Sequence, residues 1–279
     1  MVNFQKINEY LTIAQSSVLR VNAVIIDCID HICLVDTLLL PSDIKALKAF
    51  LKTLNKPLKY LINTHWHSDH SIGNKYLADS DTIIIAHHRY FYTHTDEKER
   101  IRSVYKGQEN SKNSYLVDYN RIMQPHICIK DKFSFTDGLS FSLIPTPGHS
   151  SDSICIYLHE LKTLIAGDTL LGSPDGYYSL PYFYWGDEQD YIESLETLKG
   201  LDLTCIIPGH SNILTSEIFD HYLSYLHCLL DYKKKLSHLN YPLEKIKVMV
   251  NADQCVDFAN GRKLWKPEIH YLNLEKVFI

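Results

Sequence analysis

The sequence predicts an α/β protein, and three observations lead there. Short β-branched runs recur along the chain, each followed at once by a polar turn. Amphipathic stretches of helical period alternate with several of those runs. The turn residues after the strands are repeatedly His or Asp, in both halves of the chain, so the strand ends are expected to converge on one rim. At 279 residues the chain buries a full core without needing a disulfide or metal staple to fold. We therefore expect one domain over 1–279, with a helical insertion at about 87–131 and a C-terminal extension from about 241.

Val21 to Ile26 and Ile32 to Val35 flank the polar break Asp27 to His31, which predicts a hairpin. Pro41-Ser42-Asp43 then starts a helix. Leu47, Phe50, Leu51 and Leu54 hold its apolar face, Lys45, Lys48 and Lys52 its wet one, and Asn55 with Pro57 ends it. Leu58 to Ile62 reads as a buried strand, followed by a helix over Ile72 to Leu77 and a strand over Thr82 to Ala86. Beyond the Tyr-, Arg- and Lys-rich insertion, strands are expected at Phe133 to Phe135, Leu139 to Ile144, Ser153 to Leu158, Thr163 to Ala166 and Thr204 to Ile207. Helices are expected over Asp190 to Leu198 and Glu217 to Leu236.

A net charge of −5 provides no global positive field for nucleic acid or acidic lipid. The seven cysteines show no paired short spacing, and most sit in apolar runs, so they read as small core residues in a reducing compartment. No basic segment leads into an apolar one at the N-terminus, and no apolar run reaches bilayer length. The expectation is a soluble, cytoplasmic protein.

The chemistry is concentrated in the turns. His65, His67, Asp69 and His70 lie within six positions directly after a strand. In a tight loop alternate side chains point one way, so His65 and His67 can share one metal while Asp69 and His70 turn toward a second. His149, Asp168 and His210 each follow an apolar strand, and each is preceded by a glycine that lets the chain turn sharply: Gly148, Gly167 and Gly209.

The H-x-H-x-D-H run, the later Gly-His, the Gly-Asp-Thr and the final Pro-Gly-His resemble the metallo-β-lactamase superfamily, over roughly residues 15 to 215 and in the same order. The resemblance implies an αββα sandwich of two mixed β-sheets flanked by helices, with a metal pair at one edge. It implies that His65, His67 and His149 hold one metal, that Asp69, His70 and His210 hold the other, and that Asp168 bridges them. The exported zinc β-lactamases carry Cys or Ser where this chain has Asp168, and the flavodiiron branch carries Glu where it has His67. The branch that remains contains glyoxalase II, the acyl-homoserine lactonases and RNase Z-like nucleases.

The expected cofactors are two divalent metal ions, zinc by preference, with iron or manganese also compatible with all-N/O ligation. The expected reaction is hydrolysis of a small acyl substrate (thioester, ester or lactone), with Asp69 orienting the attacking hydroxide. An RNase Z-like phosphodiesterase is the alternative, and a metal-binding effector with little turnover is a third reading. The partner is a small molecule, with neither a membrane nor nucleic acid expected, and a homo-oligomer stays open. In the aromatic loop that follows Asp168, Tyr177 and Tyr178 are the candidate substrate contacts, although aromatics there equally serve to pack the loop. Arg100 and Arg102 of the insertion could read an anionic group, and a solvated helical face explains them as well.

Overall fold

The hairpin Asn22–Asp27 (β3) and Ile32–Val35 (β4) is the centre of a seven-stranded sheet, described here from a computed structural model of residues 1–90, 123–256 and 263–278. Asn3–Lys6 (β1) and Leu11–Gln15 (β2) extend it antiparallel on one side. Leu58–Ile62 (β5), Ile83–His87 (β6) and Ile127–Ile129 (β7) extend it parallel on the other. A parallel neighbour needs a crossover. Between β4 and β5 it is helix α1 (Pro41–Thr53), and between β5 and β6 it is the short helices α2 (Ser68–Ser71) and α3 (Asn74–Leu77).

The second sheet has five strands. Phe133–Asp137 (β8), Leu139–Pro145 (β9), Ile154–Leu158 (β10) and Thr163–Gly167 (β11) run antiparallel in sequence order. Cys205–Pro208 (β13) closes the edge, parallel to β11 through the crossover helix α4 (Glu188–Lys199). Both sheets are therefore mixed, as the resemblance implies.

Side-chain alternation shows how the layers stack. Leu139, Phe141 and Leu143 of β9 and Ile154, Ile156 and Leu158 of β10 meet Val24, Ile26, Cys33 and Val35 between the sheets. The intervening Cys155 and Tyr157 face the opposite way, onto Leu195 of α4 and Phe219, Tyr222 and Leu226 of helix α5 (Glu217–Leu236). Ile32 and Leu34 likewise turn from the inter-sheet core onto Ile44, Leu47 and Leu51 of α1. With apolar contacts on both faces, these strands read as continuous hydrophobic runs rather than alternating ones. The result is a four-layer αββα sandwich.

Four features depart from the sequence expectations. Residues 3–15, which carried no strand expectation, form β1 and β2. Inside the expected helical insertion, residues 127–129 form β7 by pairing along the open edge of β6; the remainder of that insertion lies mostly outside the described residues. Of the helix expected over Ile72 to Leu77 only Asn74–Leu77 forms, preceded by a separate short helix at Ser68–Ser71, and between the two Gly73 N–H donates to Thr37 Oγ1. Cys228 on α5 and Cys255 are joined by a disulfide, with Cα atoms 5.4 Å apart, which corrects the expectation of unpaired cysteines for these two.

The C-terminal extension comprises α6 (Leu243–Met249), strand β14 (Lys263–Leu264) and helix α7 (Glu268–Phe278). Strand β14 pairs parallel with Tyr177–Tyr178 (β12), and α7 packs on α5 and α6. Among the described residues no helix is long and apolar enough to cross a membrane.

Candidate metal centre

Five strands point their C-terminal ends at one edge of the sandwich. Asp36 follows β4; His65, His67, Asp69 and His70 follow β5; His149 follows β9; Asp168 follows β11; His210 follows β13. Parallel pairing of β4 with β5 and of β11 with β13 puts these turns side by side. Close packing demands glycine here: a Cβ on Gly209 would lie 2.1 Å from Asp168 Oδ1, and Gly148 holds φ at +141° with a would-be Cβ 2.5 Å from Tyr191 Cα.

The seven candidate residues are buried and fall into two groups of converging ligand atoms: His65, His67, His149 and Asp168 in one, Asp69, His70 and His210 in the other. Within each group these atoms lie within 4.8 Å of one another. Asp168 spans the two. Its Oδ1 is 3.2 Å from His70 Nε2 and 3.3 Å from His210 Nε2, while its Oδ2 is 3.6 Å from His149 Nε2 and 3.9 Å from His65 Nε2. Asp69 Oδ2 lies 3.5 Å from His210 Nε2 and 3.9 Å from His70 Nε2. His67 Nδ1 is 3.1 Å from His149 Nε2.

Four imidazoles are aimed by a partner at Nδ1. His70 Nδ1 donates to Asp36 Oδ2 at 2.8 Å, and His65 Nδ1 to Thr64 Oγ1 at 3.0 Å. His149 Nδ1 donates to the Tyr182 carbonyl at 2.7 Å, and His210 Nδ1 to the Leu19 carbonyl at 2.8 Å. A proton on Nδ1 leaves the Nε2 lone pair facing inward, the tautomer a metal requires. The Nε2 atoms of His65 and His70 and Oδ1 of Asp168 are buried without a hydrogen-bond partner. Such orphaned polar atoms are costly in a folded interior, and a cation among them removes the cost. The donor set thus fits divalent metal ions.

Electrostatics agree. Burial works against charge on Asp168, yet His210 and His70 hold its carboxyl well below the usual range. Burial likewise opposes a charged His70, but the carboxylates of Asp168, Asp36 and Asp69 raise its pKa well above the ordinary value. His65 is held well below its ordinary value by burial and by the neighbouring His70. Asp168 is therefore favoured as an ionised carboxylate between the two histidine groups, a charge that a bound cation would balance.

The two tyrosines singled out from sequence lie in β12. Tyr178 is buried with its ring 5.0 Å from that of His221 on α5, and Tyr177 is exposed beside Lys263 of β14. Other aromatics flank the histidines: the Trp66 ring centre is 4.5 Å from that of His67, the Tyr182 ring centre 5.6 Å from that of His149, and the Trp185 ring centre 6.2 Å from that of His67 and 6.0 Å from that of Trp66. Asp36, Thr64 and the Tyr182 and Leu19 carbonyls escaped the sequence reading. For Asp36 a signal existed, because it too is an acid directly after a buried strand. Arg100 and Arg102 lie outside the described residues.

Known proteins resemble this chain in both sequence and fold. The sequence profile of the metallo-beta-lactamase superfamily matches residues 17–210. A beta-lactamase-like protein 2 homolog of Caenorhabditis elegans is 29% identical over 185 residues, spanning 65% of this chain and 52% of that protein. The thioesterase pkgB of Emericella nidulans is 26% identical over 165 residues, spanning 59% of this chain and 38% of that protein. The chain thus matches about half or less of the length of these relatives. A metallo-beta-lactamase from Pontibacter korlensis superposes with a TM-score of 0.63 at 18% identity, covering 81% of this chain and 99% of the other, which shows a shared fold. With its profile match running through all seven candidate ligands, the chain belongs to the metallo-β-lactamase superfamily.

Proposed function

We propose that this chain is a dinuclear metal-dependent hydrolase of a small acyl substrate, with a thioester as the first choice and esters or lactones as close alternatives. One observation carries the reading: Asp168 directs one oxygen at each of two buried histidine groups, with Oδ1 3.2 Å from His70 Nε2 and Oδ2 3.6 Å from His149 Nε2. His65, His67 and His149 would hold one ion, Asp69, His70 and His210 the other, and Asp168 both. Zinc suits this N/O donor set, and iron or manganese also fits it. Bound there, such ions supply Lewis acidity that polarises a carbonyl oxygen and acidifies water.

The chain's own residues do the rest. Asp69 Oδ2, beside His210 and His70, accepts a hydrogen bond from the attacking water and sets its direction. Trp185 and the exposed Tyr184, 5.2 Å apart by ring centres, give the acyl group an apolar wall next to His67. The thioesterase among the relatives supports the choice of substrate class.

The test is a panel containing an acyl thioester, an acyl-homoserine lactone and a bis-phosphodiester, run on the metal-loaded protein and on Asp69→Ala. Thioester or lactone turnover that is lost in Asp69→Ala is the expected result. Cleavage confined to the phosphodiester would replace this reading with a nuclease.

A further inference from the structure

We propose that Asn273, on the C-terminal helix α7, is a positioning residue for the metal centre: it grips the peptide whose carbonyl orients His149. The proposal rests on the dinuclear reading above. It extends the site to a part of the chain that lies beyond the segment matched by the family profile.

The geometry is continuous from helix to imidazole. Asn273 Nδ2 donates to the Pro181 carbonyl at 2.7 Å, and Asn273 Oδ1 accepts from Phe183 N–H at 3.4 Å. Phe183 N–H and the Tyr182 carbonyl belong to one peptide plane, and in a trans peptide they point in opposite directions. Anchoring the N–H on Asn273 therefore aims the carbonyl the other way, where it accepts from His149 Nδ1 at 2.7 Å. The same two contacts fix the loop on both sides of Tyr182, and buried Phe183 pins it in the helix-side core.

Asn273 is itself held so that only one orientation works. Its Nδ2 also donates to Tyr225 Oη at 3.2 Å; Tyr225 Oη donates to His270 Nδ1 at 2.9 Å; His270 Nε2 donates to the Val250 carbonyl at 2.9 Å. The Val250 carbonyl can only accept, so His270 carries its proton on Nε2 and accepts at Nδ1, which leaves Tyr225 Oη to donate there and to accept from Asn273 Nδ2. Asn273, Tyr225 and His270 are all buried, and burial pushes the His270 pKa down, which keeps its Nδ1 an acceptor. The end of the series is an imidazole with a proton on Nδ1 and its Nε2 lone pair facing Asp168. Removing Asn273 takes away both polar anchors flanking Tyr182, so the tilt of the Tyr182–Phe183 peptide plane, and with it the aim of His149, is no longer fixed.

Asn273→Leu keeps the branching at Cγ and removes both contacts to the loop; Leu274→Ala, a neighbouring buried position outside the network, serves as the stability control. Each protein is loaded with cobalt(II). The readouts are the d–d absorption spectrum, the affinity for each ion by chelator competition, and the melting temperature. In Asn273→Leu we expect about a 10-fold weaker affinity for one of the two ions and an altered d–d band. Tyr225→Phe, which removes one hydroxyl from the series, shifts the same readouts in the same direction by a smaller factor, and it decides the matter if Asn273→Leu does not fold. Leu274→Ala lowers the melting temperature with spectrum and affinities unchanged. Wild-type affinities and spectrum in Asn273→Leu and Tyr225→Phe, beside a wild type that holds two ions, would overturn the positioning role alone. A wild type that takes up no cobalt overturns this proposal together with the dinuclear reading.

Discussion

Exchanging Asp36 for Asn changes one atom and sets a conflict that the site cannot resolve. The Asp36 carboxylate receives three donors: Thr64 N–H on Oδ1, and Thr64 Oγ1–H with His70 Nδ1–H on Oδ2, each at 2.8 Å. An asparagine presents one acceptor and one donor. If its oxygen takes the Oδ2 position, its NH2 meets Thr64 N–H donor to donor, at a cost of about 1–3 kcal/mol for the buried unpaired group. If its NH2 takes the Oδ2 position, His70 must accept on Nδ1 and carry its proton on Nε2, where the metal lone pair belongs. Either arrangement should weaken binding of the ion proposed for Asp69, His70 and His210, by about 10–100-fold as expected when a ligand's supporting carboxylate is changed. Competition against a chromophoric chelator, ion by ion, measures this directly. Asp36→Asn binding two ions with wild-type affinity would refute the argument that Asp36 sets the His70 tautomer.

Further expectations follow from packing, titration and cross-linking. Gly209→Ala places a methyl 2.1 Å from Asp168 Oδ1, so the β13 turn or Asp168 must move; metal content should fall below that of wild type in the purified variant, with a stability loss of about 1–3 kcal/mol by denaturant titration. Asp152 is buried and its pKa is pushed up from 3.8 to about 7 by burial. The unfolded chain then releases this proton near pH 4 and the folded one near pH 7, so stability from this group declines between those values as pH rises, by ~4 kcal/mol at most. Asp152→Asn should gain on wild type across that window in metal-saturated denaturation curves, and parallel curves would contradict the assignment. The Cys228–Cys255 disulfide closes a loop of sequence separation 27, so Cys228→Ser should lose about 3–4 kcal/mol relative to the oxidised protein and nothing relative to the reduced one.

What could be read from sequence was whatever is local. The H-x-H-x-D-H run and the three Gly-His or Gly-Asp turns announce themselves because few residue types bind metal and strand ends are visible as apolar runs halted by glycine. Asp36 was harder, since its partner Thr64 becomes adjacent only through the parallel register that aligns Val35 with Ile62. Its position as an acid directly after a buried strand is a weaker signal than the histidine run, because no second ligand-type residue stands beside it in sequence. Asn273 touches Pro181 across 92 residues of chain and carries no spacing signal at all. Strand β7 is three residues long and owes its conformation to the free edge of β6, which a local pattern does not contain. The disulfide joins a helix to a turn 27 positions away, inside what reads as core. The aromatic loop shows the same limit: its composition points to Tyr177 and Tyr178, but the rings beside the histidines are those of Tyr182, 5.6 Å from His149, and Trp185, which pairs with Ser150.

Two buried ligand groups that share Asp168 should together hold two cations. Elemental analysis of zinc-loaded, exhaustively dialysed protein tests it most directly, on wild type and Asp168→Ala in parallel. Two ions per wild-type chain, with at least one lost in Asp168→Ala, is the predicted result; fewer than one ion per wild-type chain would contradict the account.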